Sequence, residues 1–504
     1  MAETLEYDVV VLGAGSGGYA AAMRAAQLGL KVALIEGDKV GGTCLHRGCI
    51  PTKALLHAAE VADEMREGGS IGVRGSFEGI DMDVLNSYKD GVIQRMYKGL
   101  TGLVASRGVD AVNGWGRLVA KDTVDVDGTL YRGKNVVLAS GSFSKTLGLE
   151  IAGRIITSDQ ALNMDRVPNS AIILGGGVIG AEFASVWRSY GVDVTIVEGL
   201  PSLVPNEDPS VSKQLERSFR RRGIKFSTKT MFERAEQDES SVTVHTQDGK
   251  SFTADYLLVA IGRGPATSGL GYEEQGISMD RGFVLTDERR TNVPGVYAVG
   301  DIVPGLQLAH RGFLQGIFVA EEIAGLNPRA IDENLIPRVT FSNPEIASVG
   351  LNQNKAEEKY GKDNVEAVEF NLAGNGKSQM LGTQSPFPAR AKAIPLAETS
   401  RRGALWAFPK CAGRPHLVAR CDVVQLSLPQ VRGKTGRSLK PRKCRGSFLL
   451  VGPTSFVVGL LARPPPAPHR LRARIPSSFD ESAPQNDLDL GVDRPKIIGR
   501  PLGY

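Results

Sequence analysis

The chain has 504 residues, 41% hydrophobic, 23% charged and 6% aromatic, a globular composition long enough for about three to four domains. It is too apolar for a disordered chain, and five cysteines are too few for a disulfide scaffold. The net charge of +5 averages two unlike parts: residues 385–504 hold 21 Lys+Arg against 7 Asp+Glu and 16 of the 27 prolines, whereas residues 1–384 hold 39 against 48.

Residues 1–8 are acidic and lack an apolar core, which argues against a secretory signal or an Arg-rich transit peptide. From residue 7 the pattern is a βαβ unit: an apolar run at 7–12 read as a buried parallel strand, a glycine turn, an Ala-rich helix at 19–28 and a strand at 31–36. About 162 residues later the plan recurs, with a strand at 171–174, a glycine turn, a helix at 181–190 and a strand at 193–198. A period this long indicates two nucleotide-binding domains, not a solenoid. Further strands are predicted at 135–139, 256–261 and 296–299. From Pro337 the pattern changes to strands at 338–341, 346–349 and 365–370, with a helix at 354–360. After Gln384 the periodicity fades and prolines recur every few residues. The longest apolar run there, 448–462, is broken by Pro453 and falls short of the ~20 residues of a spanning helix, so a soluble cytoplasmic protein is expected.

Gly13-Ala14-Gly15-Ser16-Gly17-Gly18 fits G-x-G-x-x-G. Gly13 makes the tight turn, Gly15 lets backbone amides approach a pyrophosphate, and Gly18 allows close packing of helix on strand. The helix N-terminus adds partial positive charge for the phosphates. Glu36 ends the next strand, eighteen residues past Gly18, where an acid binds a ribose 2′-hydroxyl. Gly175-Gly176-Gly177-Val178-Ile179-Gly180 repeats the pattern through Gly175, Gly177 and Gly180, with Glu198 at the same offset. Two copies in βαβ context, each with its acid, predict two dinucleotide sites. Glu198 would repel a 2′-phosphate, and residues 199–203 carry no base, so the second site is expected to prefer NAD over NADP.

Between strand and helix signals, 41–53 holds Cys44 and Cys49. A buried packing pair or half a metal site would explain two cysteines, but no second Cys/His pair with zinc spacing accompanies them, and no metal is expected. The pair reads as a redox dithiol, with Lys53 or a helix N-terminus available to lower a thiol pKa.

Gly41-Gly42-Thr43-Cys44-Leu45-His46-Arg47-Gly48-Cys49-Ile50-Pro51-Thr52-Lys53 resembles the active-site signature of the pyridine nucleotide-disulfide oxidoreductases, and its Cys-Leu-x-x-Gly-Cys-Ile-Pro-Thr-Lys form is similar to the dihydrolipoamide dehydrogenase branch. Ser140-Gly141-Ser142, the turn 177–183, Gly262-Arg263-Gly264-Pro265, Val299-Gly300-Asp301 and segment 337–350 resemble further family segments in order, over about residues 5–384. The resemblance implies an α/β protein with two Rossmann-like domains: FAD-binding 1–143 and 271–336, NAD-binding 144–270. An incomplete α+β interface domain at 337–384 and a basic, Pro-rich, disordered tail at 385–504 would follow. By resemblance, Cys44 is the interchange thiol, Cys49 the thiolate facing the flavin, and Lys53 and Glu182 an ion pair beside it. Gly42, Thr43, Ser140, Gly141, Gly262, Arg263, Gly300 and Asp301 would help hold the cofactors, Asp301 at the FAD ribityl or phosphate region. The implied reaction moves two electrons from dihydrolipoamide to the disulfide, to FAD and to NAD. Implied partners are a second subunit and lipoyl domains of a 2-oxoacid dehydrogenase complex or glycine cleavage system.

The family's interface domain ends with a His and a Glu that form a base for the dithiol, and no such segment is found here. His416 and His469 lack a positioned carboxylate, and His46, His57, His245 and His310 do not match the base position. The base is therefore expected to be absent, and 385–504 to be translated out of frame. A genuine tail binding nucleic acid or acidic partners through the 434–445 cluster is the competing reading, with no recognisable nucleic-acid motif beside it. Cys411, Cys421 and Cys444 lack ligand spacing.

Overall fold

The computed structural model describes residues 3–368 and 374–380, all within the compact unit Met1–Ala407. Strand β1 (Thr4–Leu12) buries Val9, Val10, Val11 and Leu12 consecutively, as a strand covered on both faces must. After it come α1 (Ser16–Gln27), β2 (Val32–Glu36), the short α2 (Gly42–His46), α3 (Cys49–Glu67), α4 (Met82–Ser106), β3 (Asp110–Asn113), β4 (Gly116–Ala120), β5 (Thr123–Val126) and β6 (Thr129–Leu138). β1 lies parallel between β2 and β6, and β2 pairs with β3.

The second unit holds β7 (Ser142–Ser144), β8 (Ile155–Ile156), α5 (Ser158–Ala161), β9 (Ser170–Leu174), α6 (Val178–Tyr190), β10 (Asp193–Val197), α7 (Pro209–Arg221) and β11 (Lys225–Ser227). A meander of β12 (Phe232–Gln237), β13 (Val242–Thr246) and β14 (Ser251–Ala254) leads into β15 (Tyr256–Val259). Its parallel sheet has the order β11-β10-β9-β15-β8. The chain then returns through β16 (Arg263–Pro265), which pairs with β7, and the ribbon β17 (Met279–Asp280) and β18 (Phe283–Val284). β19 (Val296–Ala298) joins the first sheet beside the C-terminal half of β6, ahead of α8 (Ala309–Ile323). The two sheets therefore share one plan, β3-β2-β1-β6-β19 matching β11-β10-β9-β15-β8, each an open twisted sheet with ligand crevices at its carboxyl edge.

The last described part is the antiparallel pair β20 (Arg338–Thr340) and β21 (Ile346–Ser348), then α9 (Gln353–Tyr360) and α10 (Gly376–Met380). The strand predicted at 365–370 is described only in part: residues 362–364 form a 3-10 turn, Ala367 makes a β-bridge, and 369–370 lie outside the described residues. No helix among the described residues is long and apolar enough to cross a membrane.

Helix α1 begins three residues earlier than the sequence predicts, because the fingerprint glycines form its first turn. A methyl group at Gly18 would lie 1.8 Å from the Gly13 carbonyl oxygen, and one at Gly13 2.3 Å from that of Ala139. α8 closes on α1 in the same way: a Cβ at Gly316 would sit 2.2 Å from the Gly17 carbonyl oxygen. By contrast, a Cβ at Gly15 meets nothing within 4 Å. Gly18→Ala should therefore lower the thermal unfolding midpoint by several degrees, overpacking of this kind costing about 1–3 kcal/mol. Gly15→Ala should leave the midpoint of the ligand-free protein within about a degree, since its backbone is in an ordinary region and its space is open. Calorimetry of both variants checks the pair.

Candidate redox and dinucleotide site

The dithiol is built on the first fingerprint turn. Gly41 donates its N–H to the Ala14 carbonyl at 2.8 Å, and Gly41 and Gly42 adopt φ values of 110° and 57°, in the region that favours glycine. A Cβ at Gly42 would lie 2.7 Å from Gly15 Cα, so α2 sits directly against the turn. Cys44 lies within α2 and Cys49 opens α3. Both are half-buried free thiols within hydrogen-bonding reach of each other.

Their acidities diverge. The hydrogen bond from Cys44 holds the Cys49 thiol below its ordinary range, and the Lys53 ammonium, one turn along α3, adds to this against the effect of burial. The same hydrogen bond, together with burial, pushes the Cys44 thiol well up. The hydrogen bond thus separates the two acidities, in the direction that favours charge on Cys49.

Lys53 and Glu182 meet across two domains, Nζ standing 3.0 and 2.9 Å from the two carboxylate oxygens. Glu182, on α6, is only 4% exposed. The Phe341 N–H donates to its Oε1 at 2.9 Å, and the Phe341 ring lies 4.6 Å from Lys53 Nζ.

The two predicted acids hold the glycine turns in identical fashion. Glu36 Oε2 accepts from the Ala14 N–H at 2.7 Å and Oε1 from Asp38 at 3.0 Å. Glu198 Oε2 accepts from Gly176 at 2.6 Å and Oε1 from Leu200 at 2.7 Å. Gly175 and Gly180 repeat the steric exclusions of Gly13 and Gly18, with Cβ contacts of 2.5 Å to the Ala260 oxygen and 2.0 Å to the Gly175 oxygen. Gly177, like Gly15, has nothing within 4 Å. The protein itself thus requires the first and third glycines of each turn. The second leaves open space above a helix N-terminus, the cradle a diphosphate needs.

Three motifs far apart in sequence converge on Ser142. Its hydroxyl donates to Asp301 Oδ2 at 2.6 Å and accepts from Arg263 Nε at 2.8 Å, while Arg263 also donates to Ser144 Oγ and the Ser142 carbonyl. Arg263 is half-buried, and burial lowers its pKa. Ser140 Oγ accepts from the buried Tyr272 hydroxyl at 3.0 Å, and burial pushes that phenol up. Gly141, Gly262 and Gly300 all have positive φ, and the Gly300 N–H donates to buried Gln315 at 2.7 Å. Thr43 closes α2, its carbonyl accepting from Arg47 at 2.8 Å.

Sequence reasoning missed several neighbours of these residues. Trp115, 76% exposed, rests on Gly37, where a Cβ would lie 2.6 Å from the indole. Met231, 53% exposed, rests on Gly199 in the same relation, a Cβ there lying 2.9 Å from its sulfur. Each offers an apolar surface immediately past an acid, where the adenine end of a dinucleotide would lie. A glycine directly after each acid was the available signal. Phe341 and Tyr272 gave none, since only folding brings them near.

Two of the described histidines bond to backbone carbonyls, and two stand near carboxylates. His46 Nε2 bonds to the Val40 carbonyl at 3.0 Å and His310 Nε2 to that of Pro337 at 2.8 Å. His57 faces Glu60 on the exposed side of α3, and His245 faces Glu236 in the meander. His416 and His469, and with them the whole tail from 385, lie outside the described residues. Among the described residues no cluster of three His, Cys, Asp or Glu side chains could hold a metal ion.

Residues 7–316 match the family described as pyridine nucleotide-disulphide oxidoreductase, and residues 336–400 match its dimerisation domain, running past Gln384. Dihydrolipoyl dehydrogenase of Bacillus subtilis (strain 168) is 39% identical over 403 residues, covering 76% of this chain and 85% of that protein. Dihydrolipoyl dehydrogenase 1, mitochondrial, of Arabidopsis thaliana is 38% identical over 78% of each chain. Among solved structures, LpdA from Mycobacterium tuberculosis aligns with a TM-score of 0.69 at 27% identity, over 75% of this chain and 84% of that one. The HOCl-induced flavoprotein disulfide reductase RclA from Escherichia coli aligns at 0.66 and 26%, over the same shares. With its dithiol, paired glycine turns and Lys53–Glu182 contact, the chain belongs to the pyridine nucleotide-disulfide oxidoreductases, the flavoenzymes that use FAD and NAD(H).

Proposed function

We propose that this flavoenzyme acts on dihydrolipoamide, passing two electrons through Cys44 and Cys49 to NAD. The observation that carries the reading is the split in thiol acidity between Cys44 and Cys49 beside the Lys53–Glu182 pair. In the oxidised enzyme a substrate thiolate attacks Cys44 Sγ, the Cys44–Cys49 bond breaks, and Cys49 leaves as a thiolate held by Lys53. The second substrate thiolate then displaces Cys44, which takes up a proton, and lipoamide departs as the disulfide. Bound FAD supplies the two-electron relay between the dithiol and the nicotinamide. Gly15 and Gly177 would give the two diphosphates access to their helix N-termini. Glu36 and Glu198 would each turn from a turn amide to a ribose hydroxyl, and Asp301 would meet the ribityl or phosphate region of FAD. Glu198 selects NAD over NADP by charge. The setting is cytoplasmic, the partners are the lipoyl domains of a 2-oxoacid dehydrogenase complex or glycine cleavage system, and 336–400 would contribute to a homodimer.

Both substrate thiols must lose a proton; His46 and His310 are bonded to backbone carbonyls, His57 lies on the exposed side of α3 beside Glu60, and His245 lies in the meander beside Glu236. We infer that the family's His–Glu base is missing and that an out-of-frame reading begins after about residue 384, by residue 400 at the latest, where the match to the dimerisation domain ends. Loss of a general base typically lowers the rate by about 10²–10⁴. Hydride transfer from NADH does not need that base, so electron transfer to artificial acceptors would survive as a diaphorase activity.

The purified protein should be yellow, reduce quinones or dyes with NADH, and turn over lipoamide about 10²–10⁴ more slowly than a complete relative. Full lipoamide turnover by this chain would refute the missing base, and a tenfold preference for NADPH would refute the role of Glu198. Cys49→Ser should abolish the residual lipoamide turnover while retaining most NADH-dependent dye reduction. Gly15→Ala should fold as the parent does yet weaken FAD retention at least tenfold, measured by flavin release on gel filtration.

A further inference from the structure

The segment from Phe341 to Asn343, which joins β20 to β21, is gripped by three helices of the other two domains. Its first residue caps the Lys53–Glu182 pair from both sides: the Phe341 N–H donates to Glu182 Oε1 at 2.9 Å, and the ring lies 4.6 Å from Lys53 Nζ. Its last residue is held three ways. The Asn343 N–H donates to the buried Ser185 hydroxyl on α6 at 3.0 Å, and its side-chain amide donates to Asp63 Oδ2 on α3 at 3.2 Å. Its carbonyl accepts from Arg222 NH1 at 3.1 Å, and Arg222 NH2 donates to the same Asp63 oxygen at 2.7 Å. Ser189 Oγ, also on α6, donates to that oxygen at 2.7 Å. α3 carries Cys49 and Lys53, and α6 carries Glu182, so this anchor fixes the two helices whose meeting forms the redox site.

We infer that Phe341 is a positioning residue for the dithiol: anchored through Asn343, its ring confines the Lys53 ammonium between Glu182 and Cys49. A cation over an aromatic face within about 6 Å is attracted by the ring quadrupole. Phe341 is 39% exposed, and its backbone N–H is committed to the buried Glu182 carboxylate, which fixes the position of the backbone from which the ring reaches Lys53. Phe341 acts through Lys53, whose charge favours the Cys49 thiolate, while Cys44 favours it by hydrogen bonding and Glu182 opposes it. The inference rests on the proposed role of Cys49 as the thiolate of the pair.

The test is the pH dependence of Cys49 alkylation by iodoacetamide in the anaerobically reduced full-length holoenzyme, read by mass spectrometry at the Cys49 peptide. The parent midpoint should lie below the ordinary thiol value of about 8.5. Phe341→Leu keeps the backbone N–H and an apolar side chain but removes the ring, and should raise the midpoint by about half a pH unit to one unit. The sign follows because a less confined cation stabilises the thiolate less. Phe341→Tyr should restore the parent midpoint. Ser185→Ala, which loosens the anchor and leaves Phe341 in place, should raise the midpoint by a smaller amount. A Phe341→Leu midpoint equal to the parent's overturns the inference, and so does a Phe341→Tyr midpoint shifted as far as that of Phe341→Leu. A parent midpoint at or above the ordinary thiol value instead overturns the underlying reading of Cys49.

Discussion

A buried carboxylate must find a cation or lose its charge, and much of this structure is arranged around one such carboxylate. Glu182 lies inside α6 with Lys53 of α3 as its partner and the Phe341 N–H as a further donor. Removing one member of a fully buried pair costs roughly 3–5 kcal/mol, and less here because Lys53 keeps part of its surface in water. The pair fixes how α3 lies on α6, and α3 begins with Cys49. Further down the same helix pair, the Tyr190 hydroxyl donates to the Leu55 carbonyl at 2.9 Å and Ser189 binds Asp63. Cys49 is therefore held by the junction of two domains and not by its own loop.

The two nucleotide turns are a duplication at the level of atoms. In each, the first and third glycines are demanded by carbonyl oxygens of the protein itself, while the middle glycine faces open space. In each, an acid at the end of the second strand accepts from a turn amide and from an amide just beyond the strand. These amides satisfy carboxylates that would otherwise lack a hydrogen-bond partner. Trp115 and Met231 extend the correspondence to the surface past each acid, where chemistry diverges between an aromatic plane and a flexible thioether.

The opening of the interface segment serves the other domains as much as its own. Arg338 reaches buried Glu207 at 3.3 Å, the Gln353 N–H reaches Asp208 at 3.1 Å, and Phe341 and Asn343 bind α6. These contacts lie within residues 338–353, ahead of the abrupt change in composition at Gln384. The acidic body can thus complete the Lys53–Glu182 environment from its own residues, whatever follows in the basic segment.

Sequence alone determined the strands of both βαβ units, the two fingerprints with Glu36 and Glu198, and the Cys44/Cys49 pair. These are local signals: consecutive apolar residues, glycines at fixed offsets, and a charge at the end of a strand. It placed Lys53 and Glu182 together only through family resemblance, because 129 residues separate them and no periodicity links them. Of the strand it placed at 365–370, the described residues show a β-bridge at Ala367. Tertiary structure decided that Ser142 joins Arg263 to Asp301, that Trp115 and Met231 cover Gly37 and Gly199, and that Phe341 closes over Lys53. The reason is physical. Local propensity writes each element into its own segment, but a contact between elements depends on where sheets and helices pack, and only the folded chain sets those distances.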